Sequence, residues 1–390
     1  MKNKNIVLII VLIIIAGSIY YINSAKVNPE ANEPVKDETV QQSENIIEKQ
    51  LEPDEYIPNE NAIREKSLFF QKAPELAGIE GYINTDSDIK IENFRGKVVL
   101  IDFWTYTCIN CIRTLPYLKS WHEKYNDKGL QIIGVHTPEF KFEQEYENVK
   151  SAVEKYQIKY PVVQDNAYAT WRAYNNRYWP RKYLIDIDGF IKYDHIGEGA
   201  YEETERKIQE LLKERMERLG QKEILDDMSK PSGVIDINYG KIETPEIYFG
   251  YGFTRGNFGN EEGLPANGIV DYKMPSTLKE NEVYLEGRWK VNEDNVELAG
   301  DEGKIILQYD AKAVNIVAGS LQGSEAEVLA DNSPLTEANK GFDIEIENNK
   351  GISKIKESKL YNLIDFEYGK HKIEIRIKGK GFKIYTFTFG

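Results

Sequence analysis

The chain contains only two cysteines, Cys108 and Cys111, and they stand three positions apart. The apolar run 98–101, Val-Val-Leu-Ile, precedes the pair and is typical of a buried central strand. A helix is predicted from Cys108 to about Tyr125, so the cysteines lie where a strand gives way to a helix N-terminus. Amide donors and the positive end of the helix dipole stabilise a thiolate at such a position. The pair is therefore predicted to carry thiol chemistry, and a scaffold of several disulfides is excluded.

The two cysteines are expected to act in turn. Cys108, at the start of the helix, is predicted to be the attacking thiolate, because the helix N-terminus favours its charged form. Cys111 lies about one turn further along, where it can resolve the mixed disulfide formed at Cys108. The redox-active disulfide Cys108–Cys111 is then the working group, and no separate cofactor is expected.

Two other roles for a cysteine pair are a zinc half-site and an inert structural bridge. Zinc takes four ligands, and the histidines of the chain show no ligand spacing with the cysteines. A bridge that closes so short a loop removes little chain entropy, so it would stabilise the fold poorly. No metal site is therefore expected. The four histidines are His122, His136, His195 and His371.

Length and charge limit the remaining classes of function. A chain of 390 residues exceeds the usual size of one hydrophobic core, so two folded domains are expected. Acidic side chains outnumber basic ones by 64 to 50, which gives a formal net charge of −14. Such a surface repels the phosphate backbone, so we expect no nucleic-acid partner.

The N-terminus is predicted to direct the chain to a membrane. Lys2 and Lys4 precede an uncharged run from Ile6 to Ile22, which has the length of a short membrane span. Residues 1–22 are interpreted as a single transmembrane anchor, with a cleaved signal segment as the alternative. The positive-inside rule then places the rest of the chain outside the cytoplasm. Residues 23–66 are polar and acidic and are predicted to be a flexible linker.

Two folded domains are predicted beyond the linker. Residues 67–220 alternate strand-like and helix-like runs, which predicts an α/β domain with a central sheet. Residues 232–390 contain short β-rich runs separated by Gly, Asn and Asp turns, which predicts an all-β sandwich. Trp289 of this second domain is interpreted as a core residue, with a sugar-stacking platform as the alternative.

The segment from Asp102 to Pro116 resembles the active-site segment of the thioredoxin superfamily. The resemblance implies that Asp102 is a buried acid that assists proton transfer at the resolving cysteine, and that Pro116 kinks the active-site helix. Asp102 lies within an apolar strand, so burial is also expected to raise its pKa. Trp179-Pro180 matches the cis-proline segment of the superfamily, which implies that both residues contact an extended substrate.

A closer resemblance is to the thioredoxin-like, TlpA/redoxin-type part of the DipZ proteins. It rests on the run 104–111, Trp-Thr-Tyr-Thr-Cys-Ile-Asn-Cys, with the segments 136–140 and 178–180, and extends from about Ala73 to Gly390. The resemblance implies a second domain similar to a carbohydrate-binding module and a role in cytochrome c maturation. The substrate-contacting residues that it implies are Trp104, Tyr106, Thr107, Trp179 and Pro180.

The sequence departs from DipZ because it carries no polytopic CcdA-like membrane portion. A separate CcdA-like membrane protein is therefore the implied electron donor. The function predicted is that of a membrane-anchored, extracytoplasmic thiol-disulfide oxidoreductase acting on proteins. Ile109 and Asn110 place no charge between the cysteines, which favours a reductant over an oxidant. The alternative is a cell-surface module that binds glycan or protein and in which the redox domain is accessory.

A role at the mouth of the site is also considered for one histidine. His136, with Glu139, is a candidate for shaping the entrance to the site, while a histidine that ends a strand is more often packed or solvated.

Overall fold

The computed structural model describes residues 56–221, 225 and 227–390. Within these ranges no helix has both the length and the apolar character that crossing a membrane requires. The predicted membrane anchor, residues 1–22, lies outside the described residues, as does most of the predicted linker.

The first domain is built on one six-stranded sheet with the strand order β1-β4-β3-β2-β5-β6. Strands β2, β3 and β4 are parallel, whereas β1, β5 and β6 run antiparallel to their neighbours. The strands are β1 (Gly81–Ile83), β2 (Val98–Trp104), β3 (Leu130–His136), β4 (Val162–Gln164), β5 (Arg181–Ile185) and β6 (Ile191–Ile196). The helices are α1 (Glu60–Ser67), α2 (Ile109–Tyr125), α3 (Tyr146–Lys155), α4 (Ala169–Ala173) and α5 (Tyr201–Arg218).

Strand β2 lies at the centre of this sheet and is buried along its whole length. Val98 and Leu100 point into one apolar cluster, which includes residues of α2 and α5. Val99 and Ile101 point into a second cluster on the opposite face, which includes residues of α4. Side chains alternate between the two faces of a strand, so a strand covered on both sides has to be apolar throughout. The predicted α/β domain with a thioredoxin-like order of elements is confirmed.

The end of the predicted linker differs from the expectation. Residues 60–67 form helix α1, and Lys66 lies near its C-terminal end. The Lys66 ammonium is 2.8 Å from a carboxylate oxygen of Asp186 and 2.5 Å from oxygens of both Asp188 and Glu214. These three acids are the one group in the described part of the chain close enough to share a metal ion, and Lys66 lies among them. This charge network fastens α1 to the first domain.

The second domain consists of β-strands that all hydrogen-bond into one connected sheet of twelve strands. Most of its buried side chains form one large apolar cluster, and Trp289 belongs to that cluster with no exposed surface. The strands are β7 (Ile247–Tyr248), β8 (Ile269–Tyr272), β9 (Val283–Val291), β10 (Val296–Asp310), β11 (Ala313–Gly319), β12 (Ser324–Ala330), β13 (Ser333–Pro334), β14 (Glu345–Glu347), β15 (Lys350–Ile355), β16 (Lys359–Asp365), β17 (Lys370–Lys378) and β18 (Lys383–Phe389).

The all-β class predicted for this domain is confirmed, but the two separate sheets expected of a sandwich are joined. Strand β10 is the connection, because its start pairs with β18 and its remainder pairs with β17. Its register against β9 shifts between Leu298 and Gly303. An irregularity of this kind bends a strand and strengthens its twist, so one long strand takes part in both layers. The domain is a curled sheet wrapped around its core.

The two domains meet through aromatic side chains next to the strand β3 of the first domain. Phe140 lies in the loop after β3, is 1% exposed, and packs 5.1 Å from Tyr385 of the second domain between ring centroids. Tyr248 and Val317 complete this apolar cluster. The Tyr248 hydroxyl donates a 2.7 Å hydrogen bond to the carboxyl group of Glu139. Part of the interface between the domains is therefore buried and apolar. Such contacts stabilise the domains against separation.

We predict that Phe140→Ala lowers the free energy of unfolding by about 3 kcal/mol, because it empties a buried aromatic position. Urea unfolding of the full chain measures this change. Phe342→Ala is the matched control, since Phe342 is 93% exposed and its loss should cost no more than about 0.5 kcal/mol. Equal losses in the two variants would contradict the packing described for Phe140.

Candidate active site

Cys108 occupies the position that caps the N-terminus of helix α2. Its Sγ atom accepts a hydrogen bond of 3.3 Å from the backbone N–H of Cys111. Both cysteines are free thiols; Cys108 is partly exposed, whereas Cys111 is 1% exposed. Only Cys108 therefore offers its sulfur to a molecule approaching from solvent. A helix N-terminus is also the position where amide groups best stabilise a thiolate.

Cys111 needs help to lose its proton. Burial raises its pKa well above the usual range, and the hydrogen bond and charge of Cys108 raise it further. The negative charge of Asp102 acts in the same direction. A thiol held in this way stays protonated near neutral pH, so its use as a nucleophile requires a nearby base.

Asp102 and Lys182 form a buried pair next to Cys111. The two residues are register partners on the adjacent strands β2 and β5, and each is 1% exposed. Burial raises the pKa of Asp102 to about 7, although the charge of Lys182 opposes the rise. Burial lowers the pKa of Lys182, against the charges of Asp102 and Cys111. Asp102 can therefore take up or release a proton near neutral pH, as a proton-transfer group requires.

Three polar atoms in the same interior region have no hydrogen-bond partner among the described residues. They are Asp102 Oδ1, Trp104 Nε1 and the Tyr160 hydroxyl. Gly134 is the register partner of Asp102 on β3, and a side-chain carbon there would lie 3.0 Å from Trp104 Nε1 and 3.3 Å from the Tyr160 ring. Only glycine leaves this space open. Asp102 is thus enclosed by the domain, and this burial raises its pKa.

The segment before strand β5 forms the other side of the site. The Trp179–Pro180 peptide bond is cis. The Trp179 indole N–H donates a 3.0 Å hydrogen bond to the carbonyl oxygen of Thr137, which fixes the ring against the loop after β3. Trp179 remains partly exposed, Pro180 is buried, and the neighbouring Tyr178 is 50% exposed. Tyr178 and Trp179 are therefore the side chains of this segment that can contact a substrate.

Three of the residues predicted to contact substrate lie inside the domain. Trp104, Tyr106 and Thr107 are all buried, so they offer a substrate almost no surface. The strand-to-helix turn folds them inward, and Thr107 donates a hydrogen bond to the buried carboxyl group of Glu143. Glu143 also accepts hydrogen bonds from the backbone N–H groups of Glu139 and Phe140. In this structure the three residues support the turn that carries Cys108.

His136 is packed inside the domain and does not shape the mouth of the site. Its ring stacks on Tyr106 and meets Trp104 edge-on, and burial lowers its pKa to about 3. The histidine is therefore neutral. Glu139 faces the second domain through Tyr248, and burial raises its pKa to about 8.

Lys182, Glu143 and Arg113 are site residues that the sequence analysis did not single out. A lysine inside the otherwise apolar strand 182–185, Lys-Tyr-Leu-Ile, was the one signal available for Lys182. Glu143 lies in a short 3-10 segment, Lys141–Gln144, that precedes α3. Only the fold brings Lys182 and Glu143 to the cysteines, whereas Arg113 lies on the same helix as Cys111.

We predict that Asp102→Asn slows resolution by Cys111 at least about tenfold while the first attack by Cys108 is kept, because the amide cannot accept the thiol proton. In the wild type the resolving rate should rise as pH passes about 7, where the carboxylate forms. This rise should be lost in the variant.

Both steps are measured in the reaction with a model disulfide. The reaction is quenched with acid, and the mixed disulfide is quantified by mass spectrometry. Asp127→Asn, at an exposed position after α2, is the matched control and should leave both rates unchanged. Equal slowing of the two steps by Asp102→Asn would rule out the specific role in resolution.

Two protein families match this chain. Residues 71–194 match the AhpC/TSA family, and residues 244–390 match the thioredoxin-like C-terminal domain family. Protein DipZ of Mycobacterium bovis is 40% identical over 268 residues, which are 68% of this chain and 37% of DipZ. The chain thus spans little more than a third of the length of that relative.

Two further similarities concern the first domain. The thiol-disulfide oxidoreductase ResA of Bacillus thuringiensis is 32% identical over 125 residues, which are 32% of this chain and 67% of ResA. A solved structure, a thiol-disulfide isomerase from Corynebacterium glutamicum, is 24% identical with a TM-score of 0.34, and the match covers 36% of this chain and 96% of that one. Two thirds of ResA are matched at this identity, and the cysteine pair lies at a strand-to-helix turn. The chain belongs to the thioredoxin-like family of thiol-disulfide oxidoreductases.

Proposed function

We propose that this protein exchanges dithiol for disulfide with substrate proteins through Cys108 and Cys111. The observation that carries the proposal is the difference in exposure between the two thiols. Cys108 is accessible at a helix N-terminus, while Cys111 is buried beside the Asp102–Lys182 pair. Cys108 can contact a substrate, whereas Cys111 can lose its proton only to a group inside the domain. The family to which the chain belongs supports the same chemistry.

In the first step the Cys108 thiolate attacks one sulfur of a substrate disulfide. A bond forms between Cys108 and that sulfur, the substrate S–S bond breaks, and the other substrate sulfur leaves as a thiolate that takes up a proton. The exposed ring of Tyr178 and the partly exposed ring of Trp179 flank the substrate segment at this stage.

In the second step the Asp102 carboxylate accepts the proton of Cys111, and Lys182 stabilises the negative charge nearby. The Cys111 thiolate then attacks Cys108, which forms the Cys108–Cys111 disulfide and breaks the bond to the substrate, and the second substrate sulfur leaves as a thiolate that takes up the proton held by Asp102 or one from solvent. Two electrons have passed from the protein to the substrate. The reverse sequence oxidises a substrate, so the direction depends on which partner reduces or oxidises the pair.

The proposed direction is reduction, outside the cytoplasm and at the membrane. The uncharged residues Ile109 and Asn110 between the cysteines support a reductant, and the run Ile6–Ile22 supports an anchored, extracytoplasmic protein. A reductant in that compartment has to be reduced again, and a CcdA-like membrane protein is the proposed donor. Cytochrome c maturation is the proposed process, in line with the resemblance to DipZ.

A glycan-binding role of the second domain gains no support from its tryptophan. Trp289 has no exposed surface, and its indole N–H donates a 3.0 Å hydrogen bond to the carbonyl oxygen of Glu286. A side chain buried and bonded in this way cannot stack on a sugar ring. Trp289 is a core residue, as the sequence analysis favoured.

We predict that Cys111→Ser produces stable mixed disulfides with substrate proteins, because the complex at Cys108 then has no resolving thiol. The trapped species should be extracytoplasmic proteins and should disappear on reduction. Non-reducing electrophoresis followed by mass spectrometry identifies them. The double variant Cys108→Ser/Cys111→Ser is the control and should trap nothing. If Cys111→Ser traps no protein while the wild type reduces a model disulfide, protein substrates are excluded.

The proposed electron donor predicts the redox state of the pair in growing cells. We expect Cys108 and Cys111 to be mainly reduced, and to become oxidised when a CcdA-like protein is depleted. Alkylation of free thiols in acid-quenched cells, read as a mobility shift, measures this state. A pair that is oxidised regardless of the carrier would contradict the reductant role. A protein released into the medium with a new N-terminus near Lys26 would contradict the anchor.

A further inference from the structure

Arg113 lies two residues after Cys111 in helix α2, and its guanidinium is almost fully bonded. Its Nε and Nη2 atoms donate to the two carboxylate oxygens of Glu198, at 2.9 and 2.6 Å. Nη2 also donates to Asn110 Oδ1 at 2.7 Å, and Nη1 donates to the carbonyl oxygen of Gly390 at 3.0 Å. One side chain therefore joins a residue between the two cysteines, the loop after β6 and the second domain.

A charged pair at this position is unfavourable because of its burial. The Arg113 side chain is 4% exposed and that of Glu198 is 7% exposed, so both charges have lost most of their water. Burial therefore disfavours both charges at this position. The pair is held by its two-fold hydrogen bond and by the surrounding fold.

Arg113 lies close enough to Cys108 for their charges to interact. Burial lowers the pKa of Arg113, but Glu198, Tyr239 and Cys108 raise it, and their combined effect prevails. The positive guanidinium therefore stabilises a thiolate at Cys108. Glu198, whose carboxylate oxygens accept hydrogen bonds from that guanidinium at 2.6 and 2.9 Å, carries the opposite charge beside it.

The geometry points to Arg113 and Glu198 as a positioning pair that sets the reactivity of Cys108 through the balance of their opposite charges. This inference rests on the proposed function, since it concerns the nucleophile of the exchange. Neither residue bonds to the cysteine sulfurs among the contacts described. Arg113 holds Asn110 and presents its charge, and Glu198 holds Arg113 and compensates that charge.

Other titratable groups face the pair and stay constant in the comparison of variants. Lys182 on β5 interacts with the charge of Glu198, and the His195 Nε2 atom lies 3.2 Å from the carbonyl oxygen of Glu198. Tyr239, from the segment that leads into the second domain, adds a phenol beside Glu198, and Tyr201 of α5 feels the charge of Glu198. Cys111 and Asp102 lie behind Cys108.

The test uses three full-length variants: Arg113→Met, Glu198→Gln and the double variant. Iodoacetamide alkylation of the reduced protein is followed against pH, with the modified cysteine identified by mass spectrometry. Arg113→Met leaves the negative charge of Glu198 in place. The pH at which the alkylation rate of Cys108 is half-maximal should therefore rise by about one unit, and alkylation below that pH should slow about tenfold. Glu198→Gln leaves the positive Arg113, so the midpoint should fall and alkylation should become faster.

The double variant removes both charges and should return the profile close to that of the wild type. The double variant is also expected to fold, because replacing both members of a buried pair is tolerated better than removing one. The reduction potential should move in parallel, to a more negative value in Arg113→Met and a less negative value in Glu198→Gln, because a stabilised thiolate favours the reduced form. Lys141→Met, which removes a cation paired with Glu293 at the domain interface, is the matched control and should change neither quantity.

Opposite shifts in the two single variants, with the double variant in between, support the charge balance. Shifts in the same direction in both single variants, or none in either, would overturn it, since a purely structural role predicts one of those outcomes. Alkylation needs no protein substrate, so it separates this inference from the proposed function. Opposite shifts in a protein that traps no partner would refute the exchange with proteins and leave the charge balance standing.

Discussion

Asp102 and Lys182 face each other across strands β2 and β5, inside a domain that excludes water from both. Their mutual attraction only partly offsets the cost of burying two charges, so such a pair is weak evidence for stability. Its effect is chemical, because desolvation brings the pKa of Asp102 close to neutral pH. The central place of β2 makes this possible, since the sheet and the helices on both faces keep the carboxyl group dry next to Cys111. That burial gives Asp102, which lies near Cys111, a pKa of about 7.

The second domain is connected to the redox turn by buried contacts. Glu143 accepts a hydrogen bond from Thr107, next to Cys108, and others from the backbone of the loop that carries Phe140. Phe140 in turn packs against Tyr385 of the curled sheet. A continuous chain of buried contacts thus joins the curled sheet to the turn that carries Cys108.

Local pattern predicted the elements that carry the chemistry. The apolar run 98–101 lies within strand β2, and helix α2 begins one residue after the predicted start at Cys108 and ends at Tyr125. Local pattern is less informative in the second domain, where the segments 304–317 and 370–389 each hold parts of two strands that pair with different partners. The short strand β1 has only three residues, too few to show a period.

The sequence by itself determined the close spacing of the two cysteines, their place at a helix N-terminus, the burial of Asp102 in an apolar strand, and the α/β and all-β character of the two domains. These are properties of neighbouring residues and of their spacing. Only the tertiary structure decided that Lys182 lies opposite Asp102, that Glu143 holds Thr107, and that Glu198 pairs with Arg113. Each of these contacts joins residues from 36 to 85 positions apart. Strand register and chain packing set them, and no local periodicity records which distant charges will share one dry interior.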